Sequence, residues 1–197
     1  MAKGIPAIIL AAGESSRLGQ PKALVQWNNE SLVSRSVRIF QECGCNPIIV
    51  VTRSELQIDI MLSCEDATVV VNPKPEDGRT GSLQVGLVSL MSELGRTPRR
   101  VFVSPVDRCG WNEKTILALL DCNSNTSPSP SGHPLLLCDV EKVLSLKKND
   151  SLRDQLEIVK ITAPGEHMNI DTPADLEGLK CCLLYTSDAA DEGLGVD

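Results

Sequence analysis

Residues 7–22 read Ala-Ile-Ile-Leu-Ala-Ala-Gly-Glu-Ser-Ser-Arg-Leu-Gly-Gln-Pro-Lys. The apolar run from Ala7 to Ala12 is too short to span a membrane and suits a buried strand. It stops at Gly13. Two hydroxyls (Ser15, Ser16), a cation (Arg17), a second glycine (Gly19) and Pro21-Lys22 follow. A buried strand that opens into such a loop can hold polyphosphate. Glycine lets the backbone approach, N–H groups point inward, and Arg17 and Lys22 neutralise charge. The loop is not a Walker A loop, because five residues separate Gly13 from Gly19 and Lys22 lies three past Gly19.

Outward from this stretch, strand and helix patterns alternate. Asn28-Asn29 marks a turn, and from Ser31 the apolar residues Leu32, Val33, Val37, Ile39 and Phe40 fall at near-helical spacing, with Gly44 as a C-terminal cap. Ile48 to Val51 predicts a second buried strand, which completes a right-handed βαβ unit. Glu55 to Ser63 predicts a short helix and Ala67 to Val71 a third strand. A polar loop over 73–81 leads to a helix starting at Ser82. Arg100 to Ser104 predicts a fourth strand, and Asn112 opens another helix. Residues 123–132 are low in complexity and predict a mobile segment. Beyond it, Leu135 to Cys138 and Ile158 to Ile161 read as strands, with short helices over Asp139 to Leu146 and Ser151 to Leu156. Thr172 and Pro173 suit the N-cap and first position of a final helix. This alternation predicts a three-layer α/β fold with a mostly parallel sheet. The loops after strands one, three and four then converge beyond the carboxyl ends of the strands.

Composition sets the outer bounds. A length of 197 residues predicts one domain, taken as 1–182. Hydrophobic residues make up 42% and aromatics only 3%, so the core must be aliphatic. The net charge of −7 argues against broad nucleic-acid or anionic-membrane binding, and any nucleotide must be held by local cations. No signal-peptide pattern or stretch of transmembrane length is present, so a cytoplasmic protein with reduced thiols is expected. The eight cysteines form no Cys-x-x-Cys pair and only two histidines accompany them, which gives a zinc site little support. Residues 183–197 resemble translated sequencing-adapter read-through and are expected to be a non-native, disordered tail.

The run from Leu10 to Lys22 resembles the Leu-Ala-Ala-Gly-x-Ser-Ser-Arg-x-Gly-x-Pro-Lys signature of sugar-phosphate and molybdenum-cofactor nucleotidyltransferases at every fixed position. Gly78-Arg79-Thr80-Gly81-Ser82-Leu83 with Gly86 resembles in part that group's Gly-x-Ser-Ser-Ser-Leu-x-x-Gly loop, and Gly132-His133-Pro134 an element on its acceptor side. Asn169-Ile170-Asp171-Thr172-Pro173-Ala174-Asp175-Leu176 resembles its Asp-Ile-Asp-Thr-Pro-x-Asp-Leu segment, with Asn169 in place of the first Asp. The chain is thus similar to the molybdenum cofactor cytidylyltransferase-like branch of the MobA-like NTP transferases. That resemblance implies a Rossmann-like, GT-A-like nucleotidyltransferase fold.

It also implies a chemistry: magnesium-assisted transfer of a nucleotidyl group from an NTP to a phosphorylated acceptor, with release of pyrophosphate. Arg17, Lys22 and Asp107 would be the catalytic residues, and Asp107 and Asp171 the magnesium ligands. Leu10, Ala11, Ala12, Gly13, Ser15, Ser16, Arg17, Lys22, Asn72, Gly81 and Ser82 would meet the nucleotide, and His133 would shape the acceptor side. Helix capping is a competing account of both Asp171 and Ser82. The guanylyl branch reads Leu-Ala-Gly-Gly where this chain has Leu10-Ala11-Ala12-Gly13, and the extra methyl group favours CTP. The resemblance implies molybdopterin as the acceptor and a molybdoenzyme or insertion chaperone as a partner. The family's Asp-x-Pro is replaced by Asp107-Arg108-Cys109-Gly110-Trp111, which predicts a looser loop and an accessible thiol at Cys109. Arg108 is either a phosphate contact or a solvated charge. Two rivals stay open: the same chemistry on a sugar phosphate or phospho-alcohol, and a non-catalytic nucleotide-binding or cofactor-chaperone relative.

Overall fold

The structure is a computed structural model, and it describes residues 4–178. Among these lie nine strands: β1 (Ala7–Leu10), β2 (Gln26–Trp27), β3 (Glu30–Ser31), β4 (Ile48–Thr52), β5 (Thr68–Val71), β6 (Val101–Pro105), β7 (Thr126–Ser129), β8 (Leu135–Leu137) and β9 (Val159–Thr162). The helices are α1 (Leu32–Glu42), α2 (Gln57–Ser63), α3 (Gly78–Leu94), α4 (Glu113–Leu119), α5 (Val140–Ser145) and α6 (Leu152–Gln155), and residues 173–178 are also helical. Seven strands form one sheet in the order β5-β4-β1-β6-β8-β7-β9. Only β8 runs antiparallel to its neighbours. The expected mostly parallel α/β architecture is therefore present. None of the described helices is long and apolar enough to cross a membrane. The expectations for 183–197 fall outside the described residues.

β1 reads as an unbroken apolar run because it lies between β4 and β6 with both faces covered. Ala7 and Ile9 point into the core on the α1 and α4 side, with Val50, Phe102 and Leu136. Ile8 points the other way, to Ile49, Val51, Leu83 and Leu87 on the α3 side. Local signals set the helix ends. Ser31 Oγ accepts from Ser34 N at 3.2 Å to start α1. Gly44, at φ 81°, ends it, with Gly44 N on Gln41 O and Cys45 N on Phe40 O. Asn28 and Asn29 take φ 53° and 63° in the tight turn between β2 and β3. Asn112 caps α4 reciprocally with Thr115.

Two readings need correction. Residues 123–132 are not a free loop: β7 lies between β8 and β9, with Thr126 and Pro128 buried. Composition missed this because the Asn125 side chain supplies the organising bonds. Its Oδ1 accepts from Cys138 N (2.8 Å) and Asp139 N (3.0 Å), and its Nδ2 donates to Asp139 Oδ2 (2.7 Å). Pro128 is tolerated because β7 pairs with β8 only at Thr126. The second correction concerns α3, which starts at Gly78 rather than Ser82. Ser82 therefore caps nothing, and its Oγ donates to Gly78 O one turn back at 3.1 Å.

Gly86 sets how closely α3 approaches the sheet. A Cβ there would lie 2.9 Å from both Ile8 Cγ2 and Val51 Cγ2. Gly86→Val is expected to destabilise the fold by about 1–3 kcal/mol through overpacking, read as a lower urea midpoint at unchanged slope.

Candidate active site

The carboxyl ends of β1 and β6 open on the same side of the sheet, at the point where the strand order departs in two directions. The chain leaving β1 is tied down by Ala11 N to Val51 O at 2.8 Å. It turns at Ser15, which takes a positive φ of 57°. Ser15 O accepts from Leu18 N and Gly19 N, and Ser15 Oγ accepts from Lys22 N at 3.1 Å. The loop therefore delivers Lys22 back beneath its own start.

Lys22 is the centre of the site. Its Nζ donates to Asp107 Oδ2 at 3.1 Å and to Asp171 Oδ1. The ammonium and both carboxylates are largely screened from solvent, whereas Arg17, 3.4 Å from Asp171 Oδ2, remains open. Asp107 follows β6 and Asp171 precedes the last described helix. A backbone bond from Ile170 N to Asp107 O at 3.0 Å fixes their two segments together. Capping of that helix is done by Asp175, whose Oδ2 accepts from Thr172 N, Thr172 Oγ1 and Asp171 N. This leaves the Asp171 carboxylate free for the site and removes capping as its role.

The Lys22 hydrogen bond is the main cause holding the Asp171 carboxyl down to about 2 from its ordinary 3.8, with Asn169 and Arg17 also lowering it. A carboxyl that is more acidic in the folded state binds more protons when unfolded. Its contribution is complete above about pH 4 and lost as pH falls toward 2. The urea midpoint is therefore expected to drop between pH 5 and pH 2.5, and to drop less in Asp171→Asn.

A cavity of about 360 Å³ lies over these groups. Leu10, Ala11, Ala12, Gly13, Ser15, Ser16, Arg17, Lys22, Ser82, Asp107 and Asp171 all line it. Asn72, Gly81 and His133 do not. Asn72 is buried beneath, its Nδ2 donating to Ser82 Oγ at 3.0 Å and its Oδ1 accepting from Lys74 N at 3.0 Å. Gly81 faces the 147–150 turn, its N–H on Lys148 O at 3.2 Å, and a Cβ there would meet Asp77 Cβ at 2.8 Å. These two residues shape the wall rather than form its surface. Among the lining groups that sequence reasoning passed over, Arg79 was legible, since it lies inside the quoted Gly78–Gly86 pattern.

Among the described residues no three His, Cys, Asp or Glu side chains gather closely enough to hold a metal ion. Magnesium asks for less, since it keeps waters and takes one or two carboxylates plus substrate phosphates. The oxygens present suit that demand. Asp107 Oδ1 and Asn169 Oδ1 are sealed from solvent and, among the described residues, without partners. Asn169 Nδ2 meanwhile donates to Asp171 Oδ2 at 2.7 Å. Three hard-oxygen side chains thus fit such an ion, with Asn169 a weaker donor than the aspartate it replaces.

The loop after Asp107 corrects two expectations. Cys109 is fully buried, and burial pushes its thiol up to about 11, so it is neither accessible nor reactive. Nor is the loop loose without its proline. Cys109 and Trp111 are buried, Trp111 packs on Phe40 at 4.8 Å between ring centroids, and Arg35 Nη2 donates to Trp111 O at 2.8 Å. Arg35 itself lies 4.6 Å over the Trp27 ring. Arg108 is half-buried with Nη1 3.2 Å from His167 Nε2. His133 lies behind the site with its imidazole pushed down to about 4, chiefly by burial and then by the charge of Arg108, so it is neutral near pH 7.

The family model described as MobA-like NTP transferase domain matches residues 7–157. Two curated relatives align with shorter stretches. The "Bifunctional IPC transferase and DIPP synthase" of Thermococcus kodakarensis is 38% identical over 96 residues, which are 46% of this chain and 22% of that protein. The "Probable molybdenum cofactor guanylyltransferase" of Opitutus terrae is 36% identical over 59 residues, 30% of this chain and 29% of that protein. These matches span less than a third of each relative. In fold, the chain resembles crystalline Rv0371c from Mycobacterium tuberculosis H37Rv, with a TM-score of 0.73 at 18% identity over 91% of this chain and 98% of that one. The Gly/Ser loop after β1, the two aspartates it reaches through Lys22 and the family match over most of the sheet agree: this chain belongs to the MobA-like NTP transferase domain family.

Proposed function

We propose that the protein is a magnesium-dependent nucleotidyltransferase that moves CMP from CTP onto a phosphorylated acceptor, with molybdopterin the favoured acceptor. The observation that carries this reading is Lys22, held between Asp107 and Asp171 directly beneath the Gly/Ser loop. An oxygen of the acceptor phosphate bonds to the α-phosphorus. The bond from that phosphorus to the bridging oxygen breaks, and pyrophosphate leaves with the electron pair. Such chemistry asks the protein mainly for positioning and for fixed positive charge. Backbone N–H groups between Ala12 and Ser16 receive the phosphates, Arg17 neutralises the outer charge and Lys22 the charge developing at the leaving group. Asp107 and Asp171, with Asn169, would hold magnesium, which supplies Lewis-acid stabilisation of the phosphoryl oxygens when bound. The Ala12 methyl group at the cavity wall, absent from the Leu-Ala-Gly-Gly pattern, favours the smaller pyrimidine ring.

Pyrophosphate release is measured with CTP, GTP, UTP and ATP in turn, with magnesium and molybdopterin. Release with CTP alone supports the reading, whereas release with GTP alone overturns the base assignment. The similarity to a protein named as an IPC transferase favours a second reading, in which the acceptor is a sugar phosphate or phospho-alcohol. Turnover with such an acceptor and none with molybdopterin would establish it.

A further inference from the structure

The six described cysteines divide by exposure. Cys43, Cys45, Cys64 and Cys109 are buried, and only Cys122 and Cys138 are half-buried. Burial raises the thiols of the first four, Cys45 to about 12 and Cys64 and Cys109 to about 11, so none offers solvent a thiolate. Cys181 and Cys182 lie outside the described residues.

Cys122 follows α4 and Cys138 follows β8, yet the fold brings them to one place. Val101 and Leu137 are paired across β6 and β8, so Arg100 and Cys138 stand side by side at the end of that ladder. Phe102 and Leu136 face the α1 and α4 side of the sheet, and alternation puts Arg100 and Cys138 on the same face. From there Arg100 Nη1 reaches the end of α4, donating to Leu120 O at 2.7 Å and to Cys122 O at 3.3 Å. Cys138 is held in turn by its N–H on Asn125 Oδ1 at 2.8 Å. Both thiols pack against one core cluster. Burial raises the Cys138 thiol, Arg100 lowers it, and Asp139 and Cys122 raise it, which places Cys122 among its near neighbours. Cys138 also lines a cavity of about 520 Å³ that shares no lining residue with the nucleotide cavity. Arg99 and Lys142 bring cations to its wall, and Asp139 and Glu141 carboxylates. A wall of both signs suits a zwitterionic peptide.

We propose that Cys138 and Cys122 form a thiol–disulfide exchange site for a small peptide disulfide of the glutathione class, with Cys138 attacking and Cys122 resolving. The Cys138 thiolate bonds to one sulfur of glutathione disulfide. The sulfur–sulfur bond of that molecule breaks, one glutathione leaves as its thiolate, and Cys138 carries a mixed disulfide. The Cys122 thiolate then bonds to Cys138 Sγ, the mixed disulfide breaks, and the second glutathione leaves. The two protein thiols give up two electrons and two protons, and the glutathione disulfide takes them up as two thiols. The product bridge joins the end of α4 to the end of β8. Cys138 attacks first because it lines the cavity, and Cys122 does not.

The test uses the full chain, reduced, freed of reductant and exposed to glutathione disulfide, with the remaining thiols then alkylated in urea. Trypsin leaves both thiols in one peptide, residues 115–142, since no Lys or Arg lies between Lys114 and Lys142. From the wild type that peptide is expected unalkylated and lighter by two hydrogens. Cys43, Cys45, Cys64 and Cys109 should be oxidised about tenfold or more slowly. Cys122→Ser should stop with one glutathionyl group on Cys138. Cys138→Ser should take up glutathione on Cys122 about tenfold or more slowly than Cys122→Ser does on Cys138. Four results would overturn the proposal: a wild-type peptide alkylated at both cysteines, a wild type that halts at the glutathionyl adduct, a disulfide that joins two chains through this peptide, or faster attack by Cys122 than by Cys138. The wild-type peptide map needs no substitution, so it stands whether or not a variant folds.

Discussion

Replacing Lys22 by Met lowers the rate of pyrophosphate release by on the order of 10²–10³-fold, the scale of removing one preorganised charge from a transition state that develops negative charge. The expectation rests on placement. Lys22 is largely screened from water, so its charge acts through a low-dielectric path, unlike the open charge of Arg17. Arg17→Met should accordingly cost less than Lys22→Met in the same assay. A second consequence separates loss of chemistry from loss of fold. With Lys22 gone, Asp107 and Asp171 face each other without the cation that joins them. The nucleotide-free variant should then bind Mn²⁺ more tightly than the wild type in a calorimetric titration. Unchanged Mn²⁺ affinity would show that Lys22 does not compete for the carboxylates, and near-normal turnover would remove it from the reaction.

Asp107→Asn is the second large effect, again on the order of 10²–10³-fold in kcat. The substitution keeps the shape of a nearly buried side chain, and the backbone bond from Ile170 N to Asp107 O is untouched. Folding should therefore survive, as judged by circular dichroism and the urea midpoint. What is lost is one of two carboxylates available to a divalent ion, since the amide keeps a single neutral oxygen, a weaker donor, and places an NH2 group where the other oxygen stood. Without divalent ion, CTP should bind the variant at least as tightly as the wild type, because a negative charge facing the triphosphate has been removed. Weakened metal-free CTP binding would instead make Asp107 a structural support of the nucleotide loop.

The legible part of this protein lies where the deciding interactions are short-range. The apolar run of β1 followed by Gly, Ser and Arg, the Gly44 stop, the Asn28-Asn29 turn and the Asn112 cap all act within a few residues, so their types and spacing carry the information. The same holds for Asp107 and Asp171, each named by its place at a strand or helix end. Cys109 misled because a polar-looking loop gave no hint that Arg35 and Phe40 would fold it inward. The low-complexity run at 123–132 misled because its order comes from one side chain, Asn125, bonding to residues across the sheet.

By itself, then, the sequence determined the layered α/β fold, the loop after β1 and the two aspartates as candidates. Only the tertiary structure joined Lys22 to carboxylates 85 and 149 residues away, and assigned the cap to Asp175 so that Asp171 is free. It also set Asn72 and Gly81 behind the cavity wall. The physical reason is one of range. Periodicity and capping depend on neighbours along the chain, whereas which charges share a pocket depends on strand register and on which faces the core buries.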